Sequence, residues 1–332
     1  MSWDGAWAAR EHHEASLFDR ANVVGIAIGS KVVGGRDTGE PCVTVYVERK
    51  LTESVMRRGD IVPKEVDGIR TDVVETGRFR ALILLQRPEV NRVGRVRPAP
   101  GGVSIGHFRV TAGTLGVVAR RLDGRPVILS NNHILANNND ARPGDPILQP
   151  APADQGTPDD AIARLAEFVP LAFDDREPGR IGRFIERTFA PLLAAFGLGL
   201  RRLPSRRANF VDAAIAEPLA PDLVAREILE IGLVEGVALA RIGDSVRKSG
   251  RTSGVTEGRI IGIDSVVRVD YNGRTALFRR QLVSDLPSKG GDSGSLVVDA
   301  RRRAVGLLFA GSATTTLINP IEAVSRMLNI TL

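Results

Sequence analysis

The chain runs to 332 residues, more than one hydrophobic core usually organises, so two domains or one double-lobed domain with an extension are expected. Hydrophobic residues make up 43% and charged residues 25%, ordinary globular proportions, while 35 glycines, 19 prolines and only 5% aromatics point to a turn-rich β protein with a Val, Ile and Leu core. A formal charge of +6 with no aromatic-interleaved basic motif argues against a nucleic-acid partner, and Cys42, the single cysteine, excludes an intrachain disulfide and a cysteine-based zinc site.

In chain order, residues 3 to 20 read as a charged amphipathic helix with no apolar run of the kind a secretory signal carries. Asn22 to Ile28 and Cys42 to Val47 read as strands, with Lys31-Val32-Val33-Gly34-Gly35 as a hairpin between them. Leu51 to Arg58 predicts a short helix opened by Thr52, and Ile61 to Val74 returns to strands. Residues 1–100 therefore form a small α+β module with a Pro-rich linker over Arg87 to Gly102. Beyond it, short apolar strands alternate with Gly, Asn and Asp turns: Thr114 to Ala119, Val127 to Ser130, Asp212 to Ala216, Gly258 to Val269, Gln281 to Leu286, Ser295 to Val298 and Ala304 to Phe309. Such spacing suits antiparallel barrels or a sandwich over residues 101–332. Residues 170–208 break the pattern as an insertion, helical over Ile181 to Phe196 and basic at Arg201, Arg202, Arg206 and Arg207. Arg301 to Arg303 read as a solvated hairpin turn, and Asn319 to Leu332 as a closing helix with Pro320 in its first turn. No stretch approaches the roughly 18 apolar residues of a membrane span, so a soluble, cytoplasmic protein is expected.

The strongest local signal is Lys289-Gly290-Gly291-Asp292-Ser293-Gly294-Ser295 ahead of the apolar run Leu296 to Val298. A serine hydroxyl attacks only if a base takes its proton, and the resulting oxyanion needs fixed donors. Glycines around Ser293 let the backbone turn so that the amides of Gly291 and Ser293 converge on one point. Ser295 stands where the Gly-x-Ser-x-Gly elbow of α/β-hydrolases requires glycine, so that elbow is excluded.

The segment resembles the nucleophile loop of the chymotrypsin-like (trypsin-like) serine proteases. Ser130-Asn131-Asn132-His133, at the end of an apolar strand, resembles the base-bearing segment of that family's bacterial branches. Asn209-Phe210-Val211-Asp212-Ala213-Ala214-Ile215-Ala216 is similar to its aspartate-bearing strand, and the chain order His, Asp, Ser agrees. The resemblance implies a mainly β double antiparallel barrel and a serine endopeptidase, with Ser293 as nucleophile, His133 as general base and Asp212 orienting it. It implies no metal and no cofactor, and a protein or peptide substrate. Asp160, in Asp159-Asp160-Ala161-Ile162-Ala163, remains a rival to Asp212, and His107 a weaker rival to His133. The long interval between His133 and Asp212 is accounted for by the insertion over 170–208. Phe309, Ala310 and Gly311 would lie along the substrate backbone. Pro287, at the base of the specificity pocket, would replace a carboxylate and favour a small or apolar P1 side chain.

Lys248-Ser249-Gly250-Arg251-Thr252-Ser253-Gly254 resembles a turn of bacterial members in the second barrel. Lys31 to Gly35 is similar to the family's zymogen cleavage site but stands too far ahead of His133 to serve as one, so Asp292 needs a cation that the sequence leaves unnamed. The N-terminal module resembles extensions on intracellular bacterial and plant members, and would regulate, recruit substrates or mediate homo-oligomers. Two other readings remain: a catalytically silent scaffold for peptides or assembly, and a nucleic-acid-binding protein acting through the arginine clusters.

Overall fold

The computed structural model describes residues 2–81, 91–174 and 208–332. The helical and basic stretches expected between 175 and 207, and part of the expected linker, lie outside the described residues. Two antiparallel barrels dominate.

The first barrel is built from β7 (Ser104–His107), β8 (Gly113–Thr114), β9 (Val117–Arg121), β10 (Pro126–Ser130), β11 (Pro146–Leu148), β12 (Ala161–Phe168) and β13 (Ala214–Pro218). Its strands pair in the order β9-β10-β13-β12-β11-β7-β8. β8 and β9 form one bent strand: Leu115 donates to the carbonyl of Val103 and Gly116 to that of Leu129, which joins the first edge to the last. Alternation places the side chains as a half-buried strand requires. Along β10, Ile128 points into the barrel with Ile105, Leu115 and Ile162, while Val127 and Leu129 face a core shared with the second barrel.

The second barrel contains β15 (Ser245–Gly250), β16 (Gly254–Tyr271), β17 (Arg274–Ser284), β18 (Leu296–Asp299), β19 (Ala304–Gly311) and β20 (Thr316–Pro320). These pair β15-β18-β19-β20-β17-β16, and β15 pairs back onto β16. Closure leaves no free edge inside either barrel, and the six-strand scale suits interiors filled by Val, Ile and Leu. Arg301 and Arg302 are exposed in the turn between β18 and β19, as expected of a solvated hairpin.

The N-terminal residues extend this second sheet. After α1 (Trp3–Phe18), the hairpin of β1 (Val23–Val33) and β2 (Arg36–Val47) turns at Gly34-Gly35, whose φ values of 57° and 78° suit glycine. β1 then pairs antiparallel with β16, Gly25 opposite Val267, while β3 (Glu65–Val66) and β4 (Ile69–Glu75) complete the outer edge. α1 packs Ala6, Ala9, Leu17 and Phe18 against Ile26, Ile28 and Val45. A two-residue strand, β5 (Arg80–Ala81), follows; β6 (Ala99–Gly101) pairs with β14 (Val224–Ile228) beside the first barrel.

Two expected helices differ in form. Leu51 to Arg58 is not α-helical: two 3-10 turns, Glu53–Val55 and Arg58–Asp60, take its place. The closing helix is shorter than expected, Ile321–Leu328, with Pro320 at the N-cap instead of in the first turn. Asn329 adopts φ 52° and ends it, freeing β21 (Ile330–Thr331) to pair with β9. Among the described residues no helix is long and apolar enough to cross a membrane.

Candidate active site

β10 ends at Ser130, and the short helix α2 (Asn132–Leu135) turns His133 toward the inter-barrel face. The Nδ1–H of His133 donates to Asp212 Oδ2 at 2.6 Å, and the His133 backbone N–H reaches Asp212 Oδ1 at 3.2 Å. A carboxylate accepts only, so Nδ1 carries the proton and the Nε2 lone pair is left available. His133 is 7% exposed and Asp212 fully buried. Asp212 itself is held through its backbone: its N–H donates to Asn319 Oδ1 at 3.0 Å, and its carbonyl accepts from Asn131 Nδ2 at 2.7 Å.

Tyr271, at the end of β16, contributes a donor that sequence reasoning missed. Its hydroxyl donates to Asp212 Oδ2 at 2.7 Å, and its ring stands edge-on to His133 at 5.7 Å. Burial, reinforced by the neighbouring Asp212 charge, pushes the phenol well above its ordinary pKa, so it remains a neutral donor. Its only sequence signal was an aromatic just ahead of an Asn-Gly turn, in a chain with two tyrosines.

Ser293 lies in the loop between β17 and β18. Gly294 has φ 94°, and a side chain there would overlap Ser130 Oγ and the Thr114 carbonyl. Glycine thus lets the loop press against the end of the strand that carries His133. The Ser293 carbonyl accepts from Thr114 N–H at 2.8 Å. The Ser293 hydroxyl donates to the carbonyl of Phe309 at 3.1 Å, and His133 Nε2 is buried with no hydrogen-bond partner among the described residues. The structure therefore joins His133 to Asp212 by a hydrogen bond but does not join Ser293 to His133. Gly291 takes φ 93°, and among the described residues neither its N–H nor that of Ser293 donates a hydrogen bond.

The cation that Asp292 lacked in the sequence is Lys248 of β15. The two groups, both fully buried, lie 3.2 Å apart. Asp292 also accepts from the backbone N–H groups of Thr252 and Ser253, each at 3.0 Å, and from Lys289 N–H at 2.9 Å. Burial lowers the pKa of Lys248, partly offset by Asp292. The turn that resembled bacterial members thus anchors the nucleophile loop from beneath.

The rival residues are placed elsewhere. Asp160 closes a capping box with Thr157 and pairs with Arg95 at 3.3 Å, with no contact to His133. His107 is buried against Asp145 at 3.1 Å. His12 and His13 both meet Asp67 at the β3–β4 turn, 2.7 and 3.0 Å away. Cys42 is buried, which pushes its thiol up to about 11 and leaves little thiolate at neutral pH. Pro287 is exposed, its carbonyl accepting from Thr256 Oγ1 at 2.8 Å. Ala310 and Gly311 are paired on both edges of β19, with Leu317 and Thr316 of β20 and with Ala81 and Arg80 of β5.

Residues 7–74 match the family described as the NARROW LEAF 1 N-terminal domain, well under half of the chain. No curated protein matches. Among solved structures, the chymotrypsin of Cellulomonas bogoriensis is similar at 16% identity and TM-score 0.43, covering 70% of this chain and 97% of that one. Thermobifida fusca Protease A gives 16%, 0.45, 70% and 97%, and the Nocardiopsis protease 16%, 0.45, 70% and 98%.

Proposed function

We propose that the chain is a serine endopeptidase acting through an acyl-enzyme on Ser293. The observation that carries this reading is the His133–Asp212 hydrogen bond at 2.6 Å, which fixes the tautomer whose Nε2 lone pair is unspent. Ser293 rotates away from Phe309, and Nε2 takes its proton as Oγ attacks the scissile carbonyl. The N–H groups of Gly291 and Ser293 receive the oxyanion. The imidazolium, stabilised by Asp212, then protonates the leaving amine; water, deprotonated by the same nitrogen, releases the acid. Tyr271 holds the carboxylate that orients the ring, and the Lys248–Asp292 pair holds the loop. Apo geometry in which the nucleophile rests on another acceptor is compatible with this scheme, since such contacts often form only with substrate.

A serine-reactive fluorophosphonate is expected to label the wild type at Ser293 and to leave Ser293→Ala unlabelled, with casein or peptide-library cleavage lost in parallel. Labelling that survives in Ser293→Ala would move the nucleophile elsewhere. A wild type that neither labels nor cleaves would favour the silent peptide-binding scaffold, the reading consistent with the Ser293–Phe309 contact.

A further inference from the structure

The partners along one edge of β19 follow a sequence. Leu296 pairs with Leu307, and Ser295 accepts from and Gly294 donates to the backbone of Leu308. The Ser293 hydroxyl then meets the carbonyl of Phe309, and Ala81 and Arg80 face Ala310 and Gly311 in antiparallel register. The opposite edge pairs with β20 from Gly306 to Gly311, with an irregularity at Phe309. Immediately past Ser293, the backbone groups of β19 are thus taken by a strand from the N-terminal part of the chain.

That position has a chemical meaning. A peptide whose carbonyl carbon is to be attacked by Ser293 must cross the loop in extended form, and extended peptides are held by adding a strand to a sheet edge. The edge that offers this beside Ser293 is the one at Phe309 to Gly311. β5 runs antiparallel to β19, and its chain direction from Arg80 to Ala81 heads from Gly311 toward Phe309 and the nucleophile. Its position is fixed by packing as well as pairing. Phe79 is 1% exposed and clusters with Phe309, Ala310 and Tyr271, and its carbonyl accepts from Asp270 N–H at 3.1 Å.

We infer that the chain's own Arg80–Ala81 occupies, as a resident competitor, the Phe309–Gly311 edge of β19, along which the family resemblance already lays a substrate backbone. The inference rests on the serine-endopeptidase reading and specifies the regulation of that site. Peptide substrates bind only in the fraction of molecules in which β5 has left, so their apparent affinity falls by that fraction. Small reagents that need only Ser293 and the oxyanion donors escape the competition. Asp270, held by Phe79, adjoins Tyr271, so the same strand abuts the residue that supports Asp212.

The test compares two readouts on the full chain. Ala81→Pro removes a backbone donor and disfavours the strand. It is expected to raise peptide-library cleavage about tenfold, the gain from freeing a site mostly occupied by its competitor, while fluorophosphonate labelling of Ser293 stays at the wild-type rate. Labelling with unchanged peptide cleavage overturns the inference and leaves the endopeptidase reading standing. Absence of labelling in both proteins overturns both. Should Ala81→Pro fail to fold, hydrogen exchange on the wild type decides, with a tripeptidyl phosphonate attached to Ser293. Loss of protection at residues 79–81 supports displacement, and unchanged protection there overturns it.

Discussion

The first barrel holds two buried histidines, each hydrogen-bonded to an aspartate, and their chemistry differs completely. His107 uses both ring nitrogens: Nε2 donates to Asp145 at 3.1 Å, and Nδ1 accepts from the backbone N–H of Arg109 at 3.2 Å. His133 uses one, donating Nδ1–H to Asp212, and among the described residues its Nε2 has no partner at the inter-barrel face. The carboxylates differ in the same sense. Asp145 is partly exposed and capped by Arg142 N–H, whereas Asp212 is fully buried and shared with a second donor, Tyr271. A buried histidine–aspartate contact is therefore no mark of function. An unspent nitrogen, aimed across a domain boundary, is what makes a proton acceptor.

The strongest test of this contrast exchanges the two carboxylates for amides. Asp212→Asn removes the acceptor that fixes the tautomer, and peptide cleavage by Ser293 should fall by about 10⁴-fold. Asp145→Asn should leave cleavage within about twofold, its effect confined to local stability of about 1 kcal/mol. Steady-state kinetics on the two variants check both. Equal losses would mean that the pairs are not distinguished by their free nitrogen.

Tyr271 sharpens the comparison, because the second donor on Asp145 Oδ2 is the backbone N–H of Arg142, whereas on Asp212 Oδ2 it is a buried phenol. Tyr271→Phe deletes a hydrogen bond to a charged group and should lower kcat by about tenfold. Without that hydroxyl, Asp212 Oδ2 keeps the His133 Nδ1–H as its one donor among the described residues, so the ring is held less firmly and the loss should fall on kcat, with KM within about twofold of wild type. A loss carried by KM with kcat unmoved would reduce Tyr271 to packing alone.

Much of this arrangement was readable from residues in the chain. His133, Asp212 and Ser293 each sit at a strand end beside a Gly or Asn turn, and the alternation in β10 or β18 follows directly from apolar spacing. Val211 and the longer apolar run behind Asp212 favour it over Asp160 in sequence, yet both precede an Ala-Ile-Ala run, and only three dimensions show which of them meets His133. Lys248 could not be matched to Asp292 because one lies on β15 and the other in the loop ahead of β18, and those two strands become neighbours only in the folded barrel. Tyr271 and Ala81 share that obstacle: each acts through a cross-strand position that no local pattern encodes. The turn at Leu51 to Arg58 misled for a different reason, its helix-like composition being too short to form a stable α-helical nucleus.

The smallest expected effect concerns His107 and acid. Burial lowers its pKa, with Asp145 opposing, and the geometry acts in the same direction as burial: a proton on Nδ1 would face the N–H of Arg109. The folded state thus holds this proton less readily than the unfolded chain. The stability contribution is full above the unfolded histidine value, about 6.5, and is lost as pH falls through the lower folded one. His107→Gln cannot titrate there, so the slope of unfolding free energy against pH should flatten below about pH 6.5, while the neutral-pH value shifts by about 1 kcal/mol and peptide cleavage persists. Urea denaturation at a series of pH values measures the slope, and an unchanged slope would place the acid sensitivity on another group.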